Sequence, residues 1–546
     1  MKLFLKVSLY VLFAVLIGVQ AILFYRAYQL AIHSPILPVV SNGRLPLLKT
    51  IIGLVKLKTF SAIGFAILLV LLFNFEKLYN YFAYSLSLII SWFLSRIKQS
   101  VHGGFLPILI IPVGLSVYYA ITMPVSYDEA WTFNAFSSKG VWNSISYYPL
   151  PNNHILYSVL TNISVFLPLS STLAIRIPAL LINVLCIFFL FNFIKDYYNK
   201  HIALISSAAF SVLYMAIYYS YMARGYSLEC LFFILLSYTV FKIVNQPEIK
   251  RYWAYYVVAN ALGFFTMPSF LYPFIIANLF ILIFCKKITP LHFISNVSVV
   301  LITWLLYLPA LSRSGLQNII NNRFVKPLSR PEVIKRIPQF FYQAVADITG
   351  WSAIVVIVLI LAAVIVLFRR YRGAARYYFP FVMLCCPILL VVHSVIPFSR
   401  TFEYCTCIFA LFIGIVIFEL FRSSQHYLDK YIWVLILSMQ VFMAINFNTN
   451  IYRDEEYAII ARNEIKQLGS GNSFFVLSSL FGTYLTFYDG KDKNFVIYDW
   501  VATPPVAINL DSIGDRHYDF YIVDNDMDST QRKIRVIKTS FNTVYK

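Results

Sequence analysis

Two adjacent carboxylates, Asp128 and Glu129, sit in the polar stretch Met123-Pro-Val-Ser-Tyr-Asp-Glu-Ala-Trp131 and are the residues best suited to chemistry. Only 11 of the 24 acidic residues precede Arg453, and this is the one adjacent pair among them. An ionised carboxylate beside hydrocarbon is costly to desolvate, so it persists where it is wet, paired or used. A pair at one place can remove or orient the proton of an attacking hydroxyl, or hold a divalent ion through oxygen ligands. Asp128 also stands where a helix cap would, ahead of Ala-Trp-Thr-Phe, and could accept backbone N–H groups instead. Pro151-Asn-Asn-His154 follows closely. Its imidazole could bind a phosphate as a cation or an acceptor as a neutral ring, or simply make an interfacial hydrogen bond. Asn153 and His154, with Tyr226 further on, are therefore candidate substrate-binding residues.

The cations are the second half of the pattern. Between Arg313 and Arg336 six basic residues (Arg313, Arg323, Lys326, Arg330, Lys335, Arg336) accompany a single acid, Glu332. Arg offers paired donors to phosphate oxygens, so Arg323, Lys326 and Arg330 are candidates for holding a lipid phosphate; a loop of this length can also cross a membrane regardless of its charge. Tyr221-Met-Ala-Arg224-Gly-Tyr226-Ser-Leu-Glu229 and Pro397-Phe-Ser-Arg400-Thr-Phe-Glu403-Tyr404 each place an Arg at the end of an apolar run with a Glu just inside it. Arg224 and Arg400 can grip phosphate or snorkel to the interface. The spacing predicts that Glu229 and Glu403 are structural partners.

The elements that must carry these residues are membrane helices. The chain of 546 residues is 60% hydrophobic and 12% charged, against roughly 25% charged in soluble domains. Runs of about 20 apolar residues, enough to cross ~30 Å of hydrocarbon, recur up to Asn446. They number about fourteen, centred near residues 14, 67, 87, 114, 183, 210, 234, 260, 278, 300, 359, 387, 412 and 439. Lys2 to Ala21 has the look of a signal peptide but reads as a retained span. Short loops with Lys or Arg follow every second span, among them Arg96 with Lys98, Lys195 with Lys200, Lys286 with Lys287, and Arg369 to Arg376. The excess of positive charge marks those loops as cytoplasmic and the acid-pair loop as facing outward. Between Asn153 and Leu167 the run is too short to span; His154, Ser158, Thr161 and Asn162 recur on one side, predicting an amphipathic surface helix.

Three regions follow: residues 1–100 with extra spans, 101–448 as the membrane core, and 449–546 as a small extracytoplasmic α/β domain. Before Thr449 there are 33 basic and 11 acidic residues, and after it 11 and 13. So basic a membrane body suits anionic lipid head groups and phosphate-bearing substrates, and nothing in it addresses nucleic acid. In the tail an acidic helix (Tyr452 to Leu468) precedes β-like runs at 473–478, 494–498, 519–523 and 541–545. No phosphate loop or nucleophile elbow is visible there. The seven cysteines lie in or at the ends of apolar runs and imply neither a disulfide framework nor a zinc site.

Taken in order, Tyr127-Asp-Glu-Ala, Pro151-Asn-Asn-His154, Arg176-Ile-Pro-Ala-Leu, Ala223-Arg-Gly-Tyr226 and Pro397-Phe-Ser-Arg-Thr401 resemble the motifs of C-type (GT-C fold) glycosyltransferases. More narrowly, the chain is similar to the protein mannosyltransferase and aminoarabinose transferase superfamily, over roughly Phe105 to Ile451. The resemblance implies a polytopic helical enzyme that takes a sugar from a polyprenyl-phosphate donor on the outer face of the membrane. The acceptor would be a glycolipid, polysaccharide or protein. Few usable sequons on the outer loops and no retention signal favour a bacterial inner membrane over an endoplasmic reticulum. The resemblance implies that Asp128 and Glu129 serve catalysis and that Arg224 and Arg400 occupy basic outer-face positions. No cofactor is firmly implied; some relatives use a divalent metal ion. A lipid or polysaccharide transporter, in which the same charges line a path, is the alternative.

Overall fold

The computed structural model describes residues 75–285, 289–320, 325–468, 474–476, 479–489, 520–524 and 534–538, with isolated positions before residue 75. The expected spans near residues 14 and 67, and the β-like runs at 494–498 and 541–545, lie outside the described residues. The chain divides into two compact units, Met1–Gly103 with Leu311–Arg313, and Gly104–Ala310 with Ser314–Lys546. The second carries every described residue of the site.

Among the described residues eight helices are long and apolar enough to cross a membrane, or nine if the bent pair Lys200–Phe210 and Tyr214–Tyr221 is one span. They match the expected centres at 114, 183, 210, 234, 300, 359, 387, 412 and 439. Of the twelve expected spans that fall on described residues, nine are matched. The helix Phe75–His102 does not qualify as a span, and the runs near 260 and 278 form Lys250–Thr266 and Leu271–Phe284, joined by a 3₁₀ turn at Pro268–Phe270. At 17 residues, Lys250–Thr266 is about 26 Å long, short of the ~30 Å hydrocarbon layer.

Burial sorts the helices into inner and outer sets. The spans Ser171–Tyr197, Tyr226–Asn245 and Ser399–Leu420 bury most of their surface in protein, whereas Pro290–Ile320, Ala353–Arg370 and Arg422–Asp454 leave most of theirs for lipid. The inner helices approach closely through small residues. At Gly414 an added Cβ would lie 2.1 Å from Ser206 Oγ and 3.0 Å from the Ile202 carbonyl.

Ile155–Ser164 forms the expected helix, at ten residues about 15 Å long and too short to span. Its orientation corrects the expectation of a polar side turned to water. Ser158, Thr161 and Asn162 are buried, and the opposite side carries the exposed Ile163. The polar side is turned inward because its partners are there: Asn162 Nδ2 donates to Ser144 Oγ at 2.6 Å, Ser158 Oγ to Asn153 Oδ1 at 2.8 Å, and Ser137 meets Thr161 at 2.5 Å.

In the tail, helices Glu456–Leu468 and Ser479–Asp489 accompany a three-stranded sheet. Strand β1 (Phe474–Val476) runs parallel to β2 (Phe520–Asp524), which pairs antiparallel with β3 (Ile534–Lys538). The first two fall on expected runs; β3 was not anticipated, because Ile-Arg-Val-Ile-Lys is broken by charge.

Gly414→Ala should lower the thermal midpoint of the purified protein, by a destabilisation of about 1–3 kcal/mol from overpacking. Adding Ser206→Gly should recover most of it. An unchanged midpoint in Gly414→Ala would show that the two helices are not in this contact.

Candidate active site

The acid pair opens a short helix, Tyr127–Ala135. Ser126 caps it: its Oγ accepts the Glu129 N–H at 3.3 Å, while Glu129 Oε2 accepts the Ser126 N–H at 2.9 Å. The cap therefore involves Glu129 rather than Asp128, and that difference separates the two acids. Glu129 is fully buried against Arg176, itself fully buried four residues inside the apolar span Ser171–Tyr197.

Arg176 has five N–H donors, and all are used. Nε donates to Glu129 Oε1 at 2.9 Å and Nη2 to Glu129 Oε2 at 2.7 Å. The rest go to the carbonyls of Ala120 (3.1 Å), Met123 (2.9 Å) and Pro124 (2.7 Å). Glu129 is equally committed, since Oε1 also accepts the Ala223 N–H at 2.7 Å. Four donors reach a carboxylate with roughly four acceptor sites. The expectation that Glu129 works beside Asp128 is thus corrected: it has no lone pair left for a proton and no opening to a substrate. Sequence reading gave Arg176 no role, although a lone cation inside an apolar span is a signal that a buried partner exists.

Asp128 points elsewhere. It is 27% exposed, with Oδ2 at 3.3 Å from Arg400 Nη1 and 3.8 Å from Arg224 Nη2. Residues 96 and 272 positions away in the chain thus meet at one carboxylate. Arg224 is buried, its Nη1 donating to Thr132 Oγ1 at 2.8 Å and to the Asn152 carbonyl at 3.0 Å, while its Nε has no partner among the described residues. Arg400 is more open and stacks over Phe398, 4.8 Å from the ring centroid. Neither Arg is ion-paired with the glutamate that follows it in the chain. Glu229 accepts instead from Ser269 at 2.8 Å, and Glu403 is buried without a described ion pair. The predicted structural pairing gives way because both guanidinium groups turn to Asp128.

His154 is buried between the same groups. The Gly225 N–H donates to its Nδ1 at 2.7 Å, a contact that needs glycine, since a Cβ there would lie 2.8 Å from His154 Cβ and 2.9 Å from Thr266 Cγ2. Burial, then the charges of Arg224 and Arg400, hold the imidazole well below its ordinary pKa, so the ring is neutral. With Nδ1 accepting, the proton is assigned to Nε2. That N–H and Arg224 Nη2, 3.2 Å apart, are both donors and face one another. Tyr226 stands edge-on to the imidazole at 5.0 Å and packs on Tyr219 at 4.4 Å.

The remaining candidates part from this group. Asn153 is corrected from substrate binder to loop support: both its amide hydrogens are committed, to the carbonyls of Ser144 (2.8 Å) and Tyr147 (3.0 Å). Lys326 and Arg330 are exposed, and no described contact joins them to Asp128, Arg224 or Arg400. Arg323 lies outside the described residues. A divalent ion does not fit the acid pair, because Glu129 is saturated by donors and Asp128 faces two guanidinium groups.

The tail also reaches the site. Helix Ser479–Asp489 packs on Tyr127–Ala135, the acidic helix of the site: the Val125 N–H donates to Tyr488 Oη at 2.9 Å, Asn134 Nδ2 to the Thr483 carbonyl at 2.9 Å, and Phe133 meets Phe487 edge-on at 5.1 Å. Glu455, buried beneath this contact, is pushed up to about 7 by desolvation and accepts from Tyr218 Oη.

Residues 154–311 match the family model described as dolichyl-phosphate-mannose-protein mannosyltransferase. No curated protein matches the chain. Among solved structures, ArnT from Cupriavidus metallidurans bound to undecaprenyl phosphate is similar in fold, with a TM-score of 0.53 at 10% identity over 73% of this chain and 86% of that one. Its apo form gives 0.50 at 11% identity, over 75% and 86%. The archaeal oligosaccharyltransferase AglB from Archaeoglobus fulgidus, in complex with an inhibitory peptide and a dolichol-phosphate, gives 0.43 at 12% identity over 75% of this chain and 65% of its own.

The two acids should separate cleanly in stability measurements. Glu129→Gln strands the buried Arg176 and should cost about 3–5 kcal/mol in denaturant unfolding, with Arg176→Leu comparably costly and the double variant less costly than the sum. Asp128→Asn should leave the midpoint within about 1 kcal/mol of wild type. Equal losses at both positions would contradict this division.

Proposed function

From a GT-C membrane fold of the protein mannosyltransferase and ArnT-like superfamily, we propose that this chain transfers a sugar from a polyprenyl-phosphate donor to an acceptor hydroxyl or phosphate. The observation that carries the reading is the meeting of Arg224, Arg400 and the neutral His154 around one accessible carboxylate, Asp128.

In this reading Asp128 is the base. As the acceptor oxygen attacks the anomeric carbon, Asp128 takes or orients its proton while the bond from that carbon to the phosphate oxygen breaks. Charge builds on the departing polyprenyl phosphate. Arg224 and Arg400 stabilise it more in the transition state than in the donor, and the His154 Nε2–H adds a neutral donor to the same oxygens. The paired donors of His154 and Arg224 support this assignment, because one anionic oxygen would satisfy both. Before the donor binds, Asp128 neutralises the arginines; phosphate binding shifts them off the carboxylate and frees it to accept a proton.

The positive charge of the short loops supports a reading in which the site, the surface helix and the tail face the non-cytoplasmic side, in a bacterial protein the outer side of the inner membrane. In this reading residues 101–448 are the catalytic core and 449–546 a small α/β domain beside it. The acceptor in this reading is a glycolipid, polysaccharide or protein, and the sugar a hexose or pentose.

Transfer of labelled sugar from polyprenyl-phosphate mannose, used as the probe donor, in proteoliposomes tests the reading. Asp128→Asn should reduce transfer about 10²–10⁴-fold with donor binding retained, and Arg224→Gln or Arg400→Gln should weaken donor binding as well. Undiminished transfer in Asp128→Asn, or lipid movement with no covalent product, would overturn it.

A further inference from the structure

Beside Arg400 the structure holds a cavity of about 500 Å³, a size in the ~300–1,000 Å³ range of small-molecule sites. Its wall is shared with the reaction centre, because Arg400, which lines it, also reaches Asp128 at 3.3 Å. Aromatic faces come from Tyr219, Trp351 and Phe398. Its charged residues balance, Arg400 and Arg453 against Asp347 and Asp454, so a polyanion such as a nucleotide pyrophosphate would find no compensating charge here.

Asp347 is set up as an acceptor. Gln343 Nε2 donates to its Oδ1 at 2.8 Å and Ser399 Oγ to its Oδ2 at 2.5 Å, which fixes the carboxylate and leaves further lone pairs on both oxygens. It has no ion pair among the described residues. Trp351 also lines the cavity, and its buried Nε1–H has no partner among the described residues. Buried donors of this kind are rare in native proteins and ask for an explanation. A fixed two-oxygen acceptor, an unused donor, flat apolar faces and no net charge together describe a site for a polyhydroxylated ring. Aromatic faces cover its C–H side, and the carboxylate takes two neighbouring hydroxyls.

We propose that this cavity binds the glycosyl group of the donor, an uncharged monosaccharide, with Asp347 reading a pair of its hydroxyls and the Trp351 N–H donating to a further sugar oxygen. The proposal rests on the donor reading above, and deepens it by assigning sugar selection to a wall distinct from the phosphate-facing Arg224 and His154. Asp347 and Trp351 are then specificity-determining residues, with no part in moving the proton.

The test measures equilibrium binding, by native mass spectrometry of the full-length protein, of two probes: polyprenyl phosphate and polyprenyl-phosphate mannose. The wild-type protein should prefer the glycosylated lipid. Asp347→Asn and Trp351→Phe should each lose that preference by about tenfold, with affinity for the bare polyprenyl phosphate unchanged. Ser399→Ala, which removes one of the two bonds orienting Asp347, should give a smaller loss and keeps the test decisive if Asp347→Asn does not fold. Equal weakening of both lipids would overturn the proposal, as would an undiminished preference in all three variants, or a rise in acceptor KM alone. Binding of neither lipid by the wild-type protein would instead remove the donor reading on which it rests.

Discussion

A buried guanidinium with every donor used fixes the geometry on which the rest of this site depends. Arg176 lies in the apolar body of an inner span, where an unpaired cation would be prohibitive, and Glu129 alone could not satisfy it. The end of the helix Phe105–Thr122 and the loop after it supply three carbonyls, from Ala120, Met123 and Pro124, and Glu129 supplies both carboxylate oxygens. One residue thereby ties together the close of the span Phe105–Thr122, the loop after it and the acidic helix. Through the Ala223 N–H bound to Glu129, it also fixes the segment that carries Arg224. The stability such a pair contributes is modest; what it contributes here is register. Rotating the acidic helix would break the pair, so Asp128 is held facing away from Glu129 and toward the arginines.

That constraint gives neighbouring acids opposite environments, one dry and saturated, the other wet and facing cations. The same principle runs through the surroundings. Asn153, next to His154, holds its loop with both amide hydrogens, while His154 keeps its Nε2–H turned to Arg224. The tail helix braces the far side of the acidic helix through Tyr488 and Phe487. The C-terminal helix Ser479–Asp489 is therefore part of the site's support.

Much of this was legible in the residues. Scarcity of acids in the membrane body singled out Asp128 with Glu129, and arginines at the ends of apolar runs singled out Arg224 and Arg400. Which acid is free was not legible, because i and i+1 on a helix point in different directions and the choice depends on a cation 47 residues later. The inward turn of Ser158, Thr161 and Asn162 was hidden for a related reason: periodicity shows that one side is polar and is silent on whether water or protein meets it. The basic run from Arg313 to Arg336 drew attention by its charge, yet no described contact joins Lys326 or Arg330 to Asp128, as charge density carries no distance information. Gln343 and Asp347, on the helix Arg330–Thr349, and Trp351, two residues past its end, carry no motif at all, and only the packing of that helix against the turn Ser399–Cys405 brings them to the cavity.

The most direct measurement is an experimental structure of the full-length protein with polyprenyl phosphate bound. The account predicts phosphate density within hydrogen-bond distance of Arg224 and Arg400, beside Asp128, with the Arg176–Glu129 pair intact beneath it. Phosphate seated instead against Lys326 and Arg330, or Glu129 released from Arg176 and turned toward the ligand, would contradict it.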